Sequence, residues 1–417
     1  MPVYLDHAAT TPVLPEALEA YTRAMAQVGN PSSIHSAGQN AKRMLEDARE
    51  RIAVTLGCQG IELVFTSGGT EAINLGIKGL YWERARAGAR RILVPEGEHH
   101  ATIDTVEWLA SYEKADVEWI PLDDQGFVRL DALEAALRRE PEEIALLTFL
   151  WANNEVGTVQ PAERLIALAA SAGVPVHVDA VSAYGHLPID FGGMRARTGS
   201  KGQAGLTALS VSAHKIGGPV GAGALVLSRD ATVVPLIHGG GQQRQVRSGT
   251  QDVAAAAAFA VAASHAESER AADAERLAAL RDRLIAGVRA AVPSAVLSGP
   301  EPVPAERRTA GEADARLASN AHFTFPGCEG DSLLFLLDAA GVEVSTGSAC
   351  QAGIPEPSHV LRAMGRGEDE ARGALRITMG RTSTDDDVDA FLAALPDAYA
   401  QASRAGLAAR ESALGAR

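Results

Sequence analysis

Glu62-Leu63-Val64-Phe65-Thr66-Ser67-Gly68-Gly69-Thr70-Glu71 reads as a short apolar strand that ends on small residues and opens into a helix over Glu71–Ala87. A helix that starts on small residues presents free backbone N–H groups to an anion, and a hydroxyl adds another donor. A plain helix cap fits the same residues. The alternation continues outward from here. Arg91–Pro95 reads as a strand, His100–Tyr112 as a helix, Val117–Pro121 as a strand and Leu130–Arg139 as a helix. Ile144–Leu150 is again strand-like, and a helix follows from Pro161, a residue suited to a first helical turn. Val174–Asp179, Ala208–Ser212 and Ala222–Ser228 complete the strands. This spacing predicts an α/β fold, a mainly parallel, doubly wound sheet covered on both faces.

Composition changes near residue 250. Asp252–Val292 is rich in alanine, arginine and glutamate with helical periodicity, as one long helix or two linked ones. Beyond it, strand-like Ala321–Phe325, Val342–Ser345 and Leu375–Met379 alternate with helical Asp331–Ala339 and Asp386–Ser403, a smaller α+β unit. The expected division is 13–250 as the large domain, 1–12 with 251–403 as the small one, and 404–417 as a helical tail.

The chain has 417 residues with 52 acidic and 38 basic side chains, a formal net charge of -14. That sign argues against nucleic acid and anionic membrane as partners, since both need basic surface. Its apolar runs fall short of the ~20 residues that span a bilayer. Three cysteines, Cys58, Cys328 and Cys350, are too scattered for a disulfide framework or a zinc knuckle, and with no signal peptide the expected compartment is the cytoplasm.

Ligands of an open parallel sheet bind beyond the carboxyl ends of its strands, so the residues just after each apolar run matter most. Glu98-His99-His100 follows one strand; a ring over a flat cofactor or a structural histidine fits better than metal ligation. Trp151-Ala152-Asn153-Asn154-Glu155 follows another, where turn chemistry or ligand contact placed two asparagines. Asp179 ends a buried strand, where a carboxylate needs a positive partner. Ser210-Val211-Ser212-Ala213-His214-Lys215 places a lysine in the same crevice, and burial lowers the pKa of such an amine. An anion-binding helix start, an aspartate for a pyridinium nitrogen and a lysine for an aldehyde together describe a pyridoxal phosphate site.

With these parts assembled, the chain resembles the cysteine desulfurases of the class V aminotransferase family, of the housekeeping type that supplies sulfur for iron–sulfur clusters. The likeness runs from Tyr4-Leu5-Asp6-His7-Ala8-Ala9-Thr10-Thr11-Pro12 to about Ser383. It includes Gly29-Asn30-Pro31-Ser32-Ser33, Asn153-Asn154-Glu155-Val156-Gly157, His238-Gly239-Gly240-Gly241, Arg247-Ser248-Gly249-Thr250 and Ser345-Thr346-Gly347-Ser348-Ala349-Cys350. The resemblance implies a fold-type I transferase that uses pyridoxal 5'-phosphate (PLP), converts L-cysteine to L-alanine, and passes sulfur from a Cys350 persulfide to acceptors for cluster assembly or tRNA thiolation. Gly69 and Thr70 would bind the phosphate with Ser212 and His214. Lys215 would hold the aldehyde, Asp179 the ring nitrogen, and His99 would stack on the ring and assist the chemistry. Asn154 would lie near cofactor and substrate, and Arg376 would clamp the α-carboxylate. Thr250 would reach the phosphate of the other subunit of a homodimer. The alternatives are a selenocysteine lyase or another class V enzyme, a metal hydrolase built on His99, His100 and Asp179, and a scaffold for cluster assembly.

Two departures from the family stand out. Ser182 replaces the usual glutamine that bonds the ring oxygen. The stretch Gly192–Leu206, with Arg195, Arg197 and Lys201, is longer than expected and reads as a solvated loop, or else a docking surface for an acidic partner. Cys350 lies in a loop without apolar anchors, whereas Cys58 and Cys328 read as structural.

Overall fold

A computed structural model describes residues 2–303, 314–347 and 357–414. Cys350 therefore lies outside the described residues. β1 (Val3–Tyr4) is followed by α1 (Pro15–Met25) and α2 (Ser36–Thr55). Then come β2 (Leu63–Thr66), α3 (Gly69–Ala85), β3 (Arg91–Pro95), α4 (His100–Glu113), β4 (Asp116–Ile120) and α5 (Leu130–Arg138). The alternation ends with β5 (Ile144–Leu150), α6 (Ala162–Ser171), β6 (Pro175–Asp179), α7 (Phe191–Arg197), β7 (Gly205–Ser212) and β8 (Gly223–Leu227).

The large sheet has the order β2-β8-β7-β6-β5-β3-β4. Every pairing among β3 to β7 is parallel, while β8 runs antiparallel to both β7 and β2. β2 therefore points the same way as β7, and the carboxyl ends of β2, β3, β5, β6 and β7 share one edge. All residues of β5, β6 and β7 are buried, as expected of central strands with both faces covered. The reversed β8 is the one departure from the parallel pattern that the spacing predicts.

α8 (Val253–Ala291) is a single helix. Its alanine-rich start, Ala255 to Ala263, belongs to the main core, and the helix packs against α1 and α2, where small side chains allow close approach. Leu277, Leu284 and Val288 of its second half belong to a separate core. That core is built on β9 (Val296–Leu297), β10 (Asn320–Thr324), α9 (Gly330–Ala339), β11 (Val342–Glu343), β12 (Ala374–Thr378) and α12 (Asp385–Leu414), whereas the short α10 (His359–Ala363) and α11 (Glu368–Arg372) send Val360, Leu361 and Ala371 into the main core. Three of these strands form an antiparallel sheet of order β12-β10-β9, while β11 pairs with β1.

The stretch after Gly192 is a solvated loop only in part, between α7 and β7, where Gly199, Lys201 and Gly202 are exposed. α7 occupies its start, with Asp190 capping it through Gly193 N–H at 2.9 Å. Arg195 is half-buried and donates to the carbonyls of Leu206 and Gly202. Arg197 bridges Glu163 (2.8 Å) and Asp190 (3.2 Å). These two arginines are held by the protein's own acceptors.

Candidate active site

The shared strand edge brings the predicted residues together. A cavity of about 340 Å³ is lined by Gly69, Thr70, His99, Asn154, Asp179, Ser182, Ser212, His214, Lys215 and Arg376, joined by Asp6, Ala8, Ser345 and Gly347. Thr250 is exposed and does not line it.

The register of the central strands sets the floor, since Leu150 pairs with Asp179 and Asp179 with Ser210. Asp179 is buried and accepts from Val181 N–H at 2.9 Å. Burial pushes its carboxyl up to about 6, although Val181 N–H and Lys215 oppose the shift. His177, two residues earlier, bonds Thr148 (2.9 Å) and Ser210 (2.8 Å) and is a satisfied core histidine. Lys215 emerges from the turn after β7 and donates to the Ala8 carbonyl.

The N-cap of α3 is Gly68, which has no side chain to cap the helix, so the first N–H groups of α3 stay open. A Cβ at Gly69 would meet Val181 Cγ2 at 2.8 Å, and one at Gly223 would meet the Gly68 backbone at 2.6 Å. Ser212 Oγ is buried with no partner among the described residues. His214 accepts or donates through Nδ1 to Thr10 at 3.2 Å, and burial brings it down to about 4.

His99 caps α4, its Nδ1 accepting from Ala101 N–H at 3.0 Å, which leaves the proton of the neutral ring on Nε2. Burial, reinforced by Lys215, lowers it to about 4. His100 diverges to an edge-on contact with His359. Among the described residues, no three His, Cys, Asp or Glu side chains are placed to hold a metal ion.

The two asparagines divide the roles left open by the sequence. Asn153 closes the turn, accepting from Glu155 N–H (2.9 Å) and Val156 N–H (3.0 Å) and donating to the Gly97 carbonyl (3.0 Å). Asn154 faces the cavity. Arg376, on β12, donates to the Asn154 carbonyl at 3.1 Å and to Asp6 at 2.7 Å, while its Nε is buried without a partner among the described residues.

Sequence reasoning missed Asp6, which lines the cavity, and Glu98, which holds the cavity residue Leu150. Glu98 is buried, accepts from Leu150 N–H at 2.8 Å, and is held well above the usual carboxylate range by burial. The motif Tyr4-Leu5-Asp6-His7 contained the signal for Asp6, but nothing local says which arginine it meets. Behind Ser182, Asn154 and Lys215 lies a second, smaller chamber of about 80 Å³ that reaches His7 and His186.

A lysine and an aspartate on adjacent strand ends, facing an open helix start, define a cofactor-dependent α/β enzyme of fold-type I. The aminotransferase class-V family matches residues 3–391, and the chain belongs to that family. It is 50% identical over 408 residues to an IscS-like cysteine desulfurase of Mycobacterium tuberculosis, covering 97% of this chain and 98% of that protein. Among solved structures, a NifS-like protein superposes with a TM-score of 0.83 at 33% identity, over 95% of this chain and 99% of the other. A structure described as SspA in complex with cysteine matches with a TM-score of 0.72 at 31% identity, over 90% and 98%.

Proposed function

We propose that this protein is a PLP-dependent L-cysteine desulfurase that forms L-alanine and carries the released sulfur on Cys350. The observation that carries the reading is the convergence of Lys215, Asp179 and the open start of α3 on one cavity. The donor set fits PLP. Open N–H groups at Gly69 and Thr70 and the unpartnered Ser212 hydroxyl suit a phosphate, a buried carboxylate suits a protonated ring nitrogen, and a cavity lysine suits an aldehyde.

PLP, when bound, supplies an electron sink for charge developing at the substrate α-carbon. Asp179 would hold the proton of the ring nitrogen, which lowers the carboxyl's own burial cost by giving it a cation. His99 would cover the ring face. Lys215, once the substrate amine has replaced it, would take the α-proton on Nζ and return it at the neighbouring carbon. Arg376 would receive the substrate carboxylate, with Asn154 alongside. The Cys350 thiolate would attack the substrate sulfur, so that an S–S bond forms as the carbon–sulfur bond breaks; the electron pair of the broken bond would pass to the substrate β-carbon, which takes up a proton before alanine leaves. His99 would assist proton transfer in that step. Ser182 is short, so it would reach the ring oxygen through water in the chamber behind it.

The reading extends to a cytoplasmic homodimer in which Thr250 completes the partner's phosphate site; its exposure away from its own cavity supports this. Residues 13–250 would form the cofactor-binding domain, and 1–12 with 251–403 the smaller one. The sulfur acceptors would be proteins such as an iron–sulfur scaffold. Among the described residues no helix is long and apolar enough to cross a membrane.

The test is visible absorption of the purified protein before and after L-cysteine, with alanine and sulfide assayed together. A band that shifts, with alanine formed and reductant-dependent sulfide, is expected. A PLP-bound protein that forms no alanine from cysteine but does so from selenocysteine would shift the assignment to a selenocysteine lyase. A protein that cannot take up PLP would overturn the reading.

A further inference from the structure

The segment that follows His238 runs along β2, the edge strand of the large sheet. Gln243, Arg244 and Gln245 hold left-handed backbone angles, with φ of 49°, 59° and 63°. Such angles are unfavourable for an L-residue, and three in a row need something to hold the run in place. The Gln243 side chain does so. Its Oε1 accepts from Phe65 N–H at 2.7 Å and its Nε2 donates to the Phe65 carbonyl at 2.9 Å, giving the edge strand the paired bonds a neighbouring strand would give.

Four residues on, Arg247 meets Glu71 in the first turn of α3, with Nε to Oε1 at 2.9 Å and Nη2 to Oε2 at 3.4 Å. Glu71 Oε2 also accepts from Ser67 N–H at 2.7 Å. The carboxylate thus closes the Ser67–Gly68 turn from one side while Arg247 grips it from the other. Neither side chain lines the cavity.

This placement creates an electrostatic conflict and resolves it. A carboxylate in the first turn of a helix is favoured by the helix dipole, but it repels a second anion arriving at the same N–H groups. We propose that Arg247 is a positioning residue for the cofactor phosphate, cancelling the Glu71 charge and fixing the turn that presents the phosphate-binding N–H groups, with Gln243 anchoring the segment that carries it. The inference rests on the PLP reading above.

The test is binding to the full-length apoprotein of PLP and, separately, of pyridoxal, which has the same ring and aldehyde but no phosphate. Arg247→Met should weaken PLP at least tenfold and leave pyridoxal within about twofold. Arg247→Lys, which keeps the charge, should retain most of the PLP affinity, and Glu71→Gln with Arg247→Met should restore it to within about threefold. The proposal is overturned if Arg247→Met binds PLP as wild type does, if PLP and pyridoxal weaken alike, or if either rescue fails. Wild-type protein that binds no PLP would instead sink the functional reading, which the unsubstituted chain decides alone.

Discussion

Arg376 and Asp6 form a 2.7 Å ion pair inside the cavity, joining positions 370 residues apart. The proposed carboxylate clamp is therefore already engaged with a carboxylate of its own chain. The arginine keeps its fork oriented this way, but an incoming substrate carboxylate meets the Asp6 charge as well.

Asp6→Asn should accordingly lower KM for L-cysteine. With Asp6 partly exposed, its charge is worth about 1 kcal/mol here, roughly a fivefold effect. Thermal stability should fall at the same time, because the buried guanidinium loses its counter-charge. Steady-state kinetics and a melting curve on the same preparation check both; an unchanged or higher KM would show that Asp6 does not compete.

Asp179 should make the apoprotein less stable as pH rises. Its folded pKa is raised from the usual 3.8 to about 6, so its favourable contribution is complete below pH 3.8 and is lost as pH rises through about 6. Asp179→Asn should stabilise the apoprotein at pH 7.5, by up to about 3 kcal/mol from the size of the shift, while abolishing tight PLP retention. Denaturant melts of both apoproteins at pH 7.5 and 5 are the measurement. An Asn variant less stable than wild type at pH 7.5 would contradict it.

His322 has the opposite sign. It is fully buried, both ring nitrogens lack partners among the described residues, and burial, reinforced by Arg316 and Arg376, lowers it to about 3. Its contribution is present above pH 6.5 and is lost as pH falls towards 3, because the unfolded chain takes up a proton that the folded one refuses. His322→Leu should reduce the loss of stability between pH 6.5 and 4, by as much as about 1.4 kcal/mol per pH unit. It should also gain about 1 kcal/mol at neutral pH by removing unsatisfied polar atoms. An equally steep acid limb in the variant would exclude His322 as a source.

Thiol chemistry should separate the three cysteines. Burial raises Cys58 to about 12 and Cys328 to about 11, which leaves both as protonated, sluggish thiols at pH 8. Alkylation at that pH should give one fast-reacting thiol per chain, and Cys350→Ser should remove it. Fast labelling that survives in Cys350→Ser would assign it elsewhere.

The alternating elements between β2 and β8 were legible because each rests on local periodicity. β3 and β5 have the bounds that the apolar runs predict, and others, such as α3 and β7, differ by a few residues at their ends. α1 and α2 were not read from the sequence; the buried face of α1 is Ala17, Ala20 and Ala24, and that of α2 mixes alanines with Gly38, Arg49 and Thr55, so neither gives a strong apolar pattern. The reversal of β8 leaves no local mark at all. A fully buried strand reads the same in either direction, and its polarity is set by how the chain crosses back over β7.

The order of motifs in the sequence by itself determined the family, the α/β layering and the small set of residues at strand ends where chemistry had to lie, because backbone periodicity and the carboxyl-edge rule act over a few residues. Only the tertiary structure decided what those residues touch. It separated Asn153 as turn chemistry from Asn154 in the cavity, paired Arg376 with Asp6, placed Glu98 beneath Leu150, and set Arg247 against Glu71. These contacts join segments remote in sequence, and their energies depend on burial and counter-charges that exist only once the sheets and α8 have come together.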